Sequence, residues 1–329
     1  MCVIISMVDE NEKIFKDEKP GIKNIEKRDK SMKVMILGAN SYIARNVIQV
    51  LLRTPEKYQL SLYDRETEQK DGVSGYQSLN ILDAQAVNNL DFSCDIVYMF
   101  VGRTGSVQGF DEYDNFIDVN ERALLNVLNA CRQQNSKAKI IFPSTRLVYK
   151  GVPGKLKEDA QKEFKTIYAA NKYACEQYLK MYENVYEISY RIFRICIPYG
   201  TIIPGAKSYG TAEFFLSKAE NGEDITLYGD GSQRRTLTYM EDLCNALIQG
   251  AESESLTNDV YNIGGEDYSL DEMAKLIGKY YGVGVSYVEW PETALKIESG
   301  DTVFDSEKLD RMAGISYPMK FEEWVKKAK

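Results

Sequence analysis

Short apolar runs alternate with stretches of helical periodicity through the first two hundred residues, and this alternation most constrains the fold. Residues 34–37 form an apolar run that ends in Gly38, and 41–52 follow with apolar side chains at Ile43, Val47, Ile48 and Leu51, the spacing of one helix face. Residues 60–63 read as a second strand closed by Asp64, and the apolar run within 95–101 suits a strand covered on both faces. A helix predicted over 113–134 leads into a strand over 139–142, broken by Pro143, and a further helix spans 164–183. Such an α/β alternation predicts a doubly wound parallel sheet, whose ligands sit beyond the carboxyl ends of the strands. Gly38, Asp64, Gly102 and Thr145 all follow strand ends, so one crevice can collect them.

The chain divides by texture. Residues 32–200 are expected to form a Rossmann-type, dinucleotide-binding part that also carries the catalytic residues. Residues 201–329 are expected to form a smaller C-terminal α/β part that mainly binds substrate, with strands near 225–228, 260–263 and 285–288 and helices near 240–251 and 269–281. Residues 9–30 include 14 charged side chains among 22 and cannot build a core. Residues 1–31 are therefore expected to be a disordered leader, either a tail or an extension from an upstream start codon.

Composition sets the partners. The net charge of −8 and the pI near 5.0 argue against nucleic acid or an acidic membrane surface. No run approaches the ~20 apolar residues of a membrane span, and a cytoplasmic protein is expected. The six cysteines lie far apart with no Cys-x-x-Cys pair and the chain has no histidine, so neither a zinc site nor any other metal site is expected, and the thiols are expected to be reduced and buried.

Without histidine, proton transfer near neutral pH falls to carboxylates, Cys, Tyr or Lys. Tyr168 and Lys172 stand at i and i+4 on one predicted helix face. In a chain with 23 tyrosines that pair alone carries little, but it has company. Gly38-Ala39-Asn40-Ser41-Tyr42-Ile43-Ala44 has the spacing of a dinucleotide turn, with Ser and Ala in place of the second and third glycines. Small residues there let backbone N–H groups approach a pyrophosphate and let the helix pack on its strand. Asp64, 26 residues after Gly38, is placed to accept hydrogen bonds from ribose hydroxyls and to repel a 2′-phosphate, which favours NAD over NADP. The neighbouring Arg65 works against that preference.

With these motifs in order, the chain resembles the extended short-chain dehydrogenase/reductase family, that of the NAD-dependent nucleotide-sugar epimerases and dehydratases, over residues 32–325. Asn80-Ile81 resembles the family's adenine contact, Phe100-Val101-Gly102 its loop along the cofactor, and Asn120 the Asn that opens its long helix. Thr145 matches the catalytic Ser/Thr before Val148-Tyr149, and Tyr168 with Lys172 the active pair. Arg194-Ile195-Cys196-Ile197-Pro198 resembles an Arg-Tyr-Phe-Asn-Pro stretch, and Gly229–Arg235 the loop that meets the nucleotide phosphates, with Arg235 on its Arg.

The resemblance implies that Gly38, Asn40, Ser41, Tyr42, Ile43, Asp64, Asn80, Ile81, Phe100, Gly102, Asn120 and Pro198 meet the cofactor, together with Tyr168 and Lys172. It implies that Tyr168 exchanges a proton with a sugar hydroxyl, that Thr145 orients the reacting oxygen, and that Lys172 lowers the Tyr168 pKa and holds the nicotinamide ribose. Bringing a phenol from ~10 to about 7 takes about 4 kcal/mol. Arg103, Thr145 and Arg235 are the expected substrate contacts, with Arg234 and Lys296 as further cations.

Departures narrow the reading. Where the dehydratases carry an Asp-Glu pair after the catalytic Thr, this chain has Arg146-Leu147, which disfavours dehydration and decarboxylation. The Asn that meets substrate in the epimerases is Ile197, and the family's Arg-Pro-Gly-Asp phosphate clamp reads Glu298-Ser299-Gly300-Asp301. The leading expectation is an NAD-dependent epimerase acting on a nucleotide-diphosphate sugar through a keto intermediate. The alternatives are a reductase of a nucleotide 4-keto-6-deoxy sugar and a non-catalytic dinucleotide sensor. A homodimer is expected through the two long helices, where Leu124, Tyr178 and Leu179 either serve the interface or pack on the sheet.

Overall fold

Seven parallel strands form the central sheet of the computed structural model, which describes residues 31–329. They are β1 (Met32–Leu37), β2 (Tyr58–Asp64), β3 (Tyr76–Ser78), β4 (Ile96–Met99), β5 (Lys139–Thr145), β6 (Tyr190–Ile195) and β7 (Val260–Asn262). Their order is β3-β2-β1-β4-β5-β6-β7, and every neighbouring pair runs parallel. The order reverses between β1 and β4, and the crevice of such a sheet opens at that point. The leader expected over 1–31 lies, but for Ser31, outside the described residues.

Helices cover both faces because the strands are apolar on both. Along β1, Ile36 faces the layer of helices α1 (Tyr42–Leu51) and α4 (Met240–Glu252), while Met35 faces α2 (Ala123–Gln133) and α3 (Ile167–Tyr186). Successive side chains on a strand point to opposite faces, so one short run feeds two cores. Leu124 and Leu179 are fully buried in the second of these cores, which settles their two readings in favour of packing on the sheet.

Part of the range expected mainly to bind substrate returns to the large sheet. Val260–Asn262 pairs with β6 in the register Val260↔Ile192, and α4 packs beside α1. A third core gathers Ile197, Phe215, Leu237, Ile277 and Phe321 around a small sheet of strands Ile197–Tyr199, Arg234–Tyr239 and Glu266–Ser269. The strands expected at 225–228 and 285–288 pair with each other in parallel.

The helix expected over 113–134 is divided. Tyr113–Ile117 and α2 are separated by a π-helical turn at Asp118–Arg122, the wider turn that recurs at functional sites. It carries Asn120. By contrast, α3 is continuous over 20 residues: the Thr166 hydroxyl caps it by accepting from the Ala169 N–H at 3.1 Å, and Glu187 ends it in the left-handed region at φ +58°.

Gly38 holds the turn after β1 at φ +88°, and an added Cβ would lie 2.7 Å from both the Phe100 carbonyl carbon and the Val101 nitrogen. Left-handed backbone and close approach coincide there, so Gly38→Ala is expected to lower the unfolding free energy by about 2 kcal/mol or more. Urea melts measure it; an unchanged midpoint would contradict this account of the turn.

Candidate active site

Three cavities lie in series along the carboxyl edge of the sheet. The first, of about 340 Å³, is bordered by Gly38, Ser41, Asp64, Asn80, Ile81 and Gly102. The second, of about 540 Å³, shares Ser41, Phe100 and Gly102 with the first and reaches Thr145, Tyr168, Lys172 and Pro198. The third, of about 330 Å³, shares Arg146, Leu147, Ile197 and Thr211 with the second and is walled by Phe214, Tyr228 and Trp290.

At the outer end, Asp64 accepts hydrogen bonds from the backbone N–H groups of Asn40 (3.0 Å) and Arg65 (2.7 Å), which hold its carboxylate at the mouth of the first cavity. The Asn40 side chain is used elsewhere, accepting from the Lys70 N–H at 3.0 Å and donating to the Glu68 carbonyl at 2.9 Å. Asn40 thus positions the loop after β2. Asn120 plays a similar part, accepting from the Arg103 N–H at 2.9 Å and donating to the Arg103 carbonyl at 3.1 Å. Both side-chain ends are used on the loop after β4, so the structure gives Asn120 the role of holding that loop.

The central cavity gathers Thr145, Tyr168 and Lys172. Thr145 ends β5, and its hydroxyl accepts from the Leu147 N–H at 3.3 Å and lines the same cavity as Tyr168. Burial pushes the Tyr168 phenol up to about 12, against the lowering effect of the Thr145 hydroxyl. Lys172, buried one turn further along α3, donates to the Pro143 carbonyl at 2.8 Å and stands 4.4 Å from the centre of the Phe142 ring. Burial brings its ammonium down to about 8. Tyr168 and Lys172 thus line one cavity, and burial acts on both toward their neutral forms. Tyr42 lines the same cavity and bonds to the Gly200 carbonyl and the Ser208 hydroxyl, the latter at 2.9 Å.

Behind this wall lies a network that motif reading did not find. Glu176, on the same face of α3 as Tyr168 and Lys172, takes a two-point ion pair from Arg194 at 3.0 and 2.6 Å and a hydrogen bond from Ser144 at 2.6 Å. Arg194 also donates to the Tyr149 hydroxyl at 2.7 Å, which in turn donates to Asn262, also at 2.7 Å. Helix α3 and strands β5, β6 and β7 are joined through one buried ion pair. The only signal in the chain was a Glu two turns after Tyr168, at i+8.

The expected substrate cations are mostly committed elsewhere. Arg103 faces the first cavity and pairs with Glu112. Arg235 borders the third but gives one nitrogen to Glu298 at 2.6 Å and another to the carbonyls of Gly300 (2.6 Å) and Arg234 (2.9 Å). Arg234 pairs with Asp267 and Glu272, and Lys296 with Glu292, on the surface.

The profile of the NAD dependent epimerase/dehydratase family matches residues 34–264. The chain belongs to the NAD dependent epimerase/dehydratase family. Among this family's proteins it is 26% identical to the CDP-paratose 2-epimerase of Salmonella typhi over 223 residues, 60% of this chain and 66% of that one. It is 29% identical to the UDP-N-acetyl-alpha-D-glucosaminuronate decarboxylase of Bacillus cytotoxicus over 204 residues, 60% of this chain and 62% of that one. The UDP-glucose 4-epimerase of Thermus thermophilus, solved in complex with NAD, superimposes with a TM-score of 0.77 at 23% identity, over 90% of this chain and 97% of that one.

As an enzyme of the NAD dependent epimerase/dehydratase family, the protein uses NAD, and its residues fit that cofactor. The Ser41 hydroxyl is buried with no partner on the wall shared by the first two cavities, beside the N-terminus of α1, where backbone N–H groups favour a phosphate. Asp64 and Lys172 stand at the two ends of those joined cavities. Among the described residues no group of three or more Cys, Asp or Glu side chains is arranged to hold a metal ion, and no helix is long and apolar enough to cross a membrane. Cys94, Cys131, Cys175, Cys196 and Cys244 are free thiols, three buried and Cys94 and Cys196 half-buried, while Cys2 lies outside the described residues.

Two measurements follow from this geometry. Removing Glu176 leaves the Arg194 charge buried without its partner, and Glu176→Ala is expected to cost about 3–5 kcal/mol in denaturant unfolding; a loss below about 1 kcal/mol would contradict the role given to the pair. Lys172 binds its proton less tightly in the folded protein, at about 8 against 10.5, so the unfolded chain holds more protons between those values and stability from this group rises with pH across that window. Lys172→Met should remove that rise in melts of the cofactor-free protein, and an identical pH profile in both proteins would refute it.

Proposed function

We propose that the protein is an NAD-dependent nucleotide-sugar epimerase, 4-epimerase-like, working through a keto-sugar intermediate. The observation that carries this reading is the lining of the central cavity, which brings Tyr168, Thr145 and Lys172 together and holds no carboxylate among the described residues. Dehydration or decarboxylation of the sugar needs a second group to move a proton at a neighbouring carbon. Arg146 and Leu147 occupy the positions of the Asp-Glu pair and cannot act as that base. Epimerisation needs only one hydroxyl proton removed and later returned.

NAD supplies the hydride acceptor and donor when bound. Tyr168 then takes the hydroxyl proton in one half-reaction and returns it in the other, with Thr145 holding the shared oxygen. Moving the phenol from about 12 to near 7 takes about 7 kcal/mol. One unit charge at 4 Å contributes about 4 kcal/mol at an effective dielectric near 20. Positive charge beside the phenol is what lowers it, and Lys172 together with oxidised NAD when bound would supply that charge. Asp64 and Glu66 border the first cavity and would repel a 2′-phosphate, which favours NAD over NADP. The aromatic walls of the third cavity, Tyr228 with Trp290 at 5.4 Å between ring centres, suit the base of a nucleotide.

The same reading places the enzyme in the cytoplasm as a homodimer. Met181 and Val185, one turn apart on α3, are 57% and 66% exposed and supply an apolar face for that contact.

The test is Tyr168→Phe. Turnover of UDP-, dTDP-, CDP- and GDP-sugars to their epimers is expected to fall about 10²–10⁴-fold, while NAD released on denaturation stays at the wild-type ratio. Net consumption of NADH with a keto sugar would instead identify the reductase, and a wild-type protein that binds NAD but turns over no sugar would identify a sensor.

A further inference from the structure

Among the described residues no carboxylate pairs with the guanidinium of Arg146, which stands at the reaction end of the crevice. It follows Thr145 directly and borders both the central and the third cavity. Its guanidinium donates to the Ser299 hydroxyl at 2.8 Å and pairs with no carboxylate among the described residues. Of the other two cations on these walls, Arg235 is paired with Glu298, while Lys172 donates to the neutral Pro143 carbonyl and stands one turn from Tyr168 on the same helix. Around Arg146 the walls are largely apolar, with Leu147, Ile197 and Cys196. Burial and the nearby Arg235 bring its guanidinium down only to about 10, so it is charged at neutral pH. A charge held this way is costly unless something pairs with it.

We infer that Arg146 receives a carboxylate carried by the sugar, so that the preferred substrate is an acidic sugar whose carboxylate lies close to the reacting carbon. This rests on the proposal that the central cavity holds the sugar. The planar fork of a guanidinium matches the two oxygens of a carboxylate. A diphosphate is the weaker partner, because Glu298 puts a carboxylate on the third cavity and pairs with Arg235 there. The uncancelled positive charge is left next to Thr145.

The experiment compares binding of matched glucose and glucuronate forms of UDP, dTDP, CDP and GDP to NAD-loaded protein by calorimetry. Wild type is expected to prefer the glucuronate form by about tenfold or more. Arg146→Leu should remove that preference, and Arg146→Lys, which keeps the charge but not the fork, should retain part of it. Retained NAD reports that each variant is folded. A wild type that binds the glucose form equally well or better overturns the inference and leaves the nucleotide-sugar proposal standing. So does a Leu variant that weakens both forms by the same factor, which would put the guanidinium on the diphosphate. Failure of wild type to bind any of these sugars removes both.

Discussion

The buried ion pair between Glu176 and Arg194 ties the reaction site to the sheet. Glu176 is fully buried and Arg194 nearly so, and neither could be held there alone, since an isolated charge in the interior carries a large desolvation penalty. Their mutual pairing and the hydrogen bonds from Ser144 and to Tyr149 satisfy both groups. The consequence is geometric. Helix α3 is locked in rotation and height against β5 and β6, so Tyr168 and Lys172 meet the end of β5, where Thr145 sits.

Charge is distributed along the crevice with a clear division. The dinucleotide end carries carboxylates at Asp64 and Glu66, held by backbone N–H groups and by Asn40. The central cavity has none among the described residues, and its phenol and ammonium are both biased by burial toward their neutral forms. A positive charge placed beside Tyr168 changes that balance, because in a low-dielectric cleft such a charge acts with little screening.

Much of this was legible along the chain because period and punctuation are local. The strands at 34–37, 60–63 and 139–142 and the glycine at 38 announce a parallel sheet and its first turn, and they stand where read. Asp64, Thr145, Tyr168 and Lys172 do line one crevice, as their places after strand ends or on one helix face required. The π-turn at Asp118–Arg122 was not legible, and the Asn120 it carries grips the loop after β4, a contact across 17 positions. The hold of Asn40 and Asn120 on neighbouring loops was not legible either, because motif position does not say which way a side chain turns.

Fold class and the placement of Tyr168 and Lys172 on one helix face were written into the linear pattern, because hydrophobic period and i, i+4 spacing act within a few residues. Which charges are available was settled only when the chain closed on itself. Arg235 is cancelled by Glu298, 63 positions away, Lys172 is turned to Pro143 across 29 positions, and Arg146 is left with only a hydroxyl partner. The return of Val260–Asn262 to the large sheet is of the same kind. Electrostatic pairing and strand register are satisfied by neighbours in space, and a linear pattern does not record those neighbours.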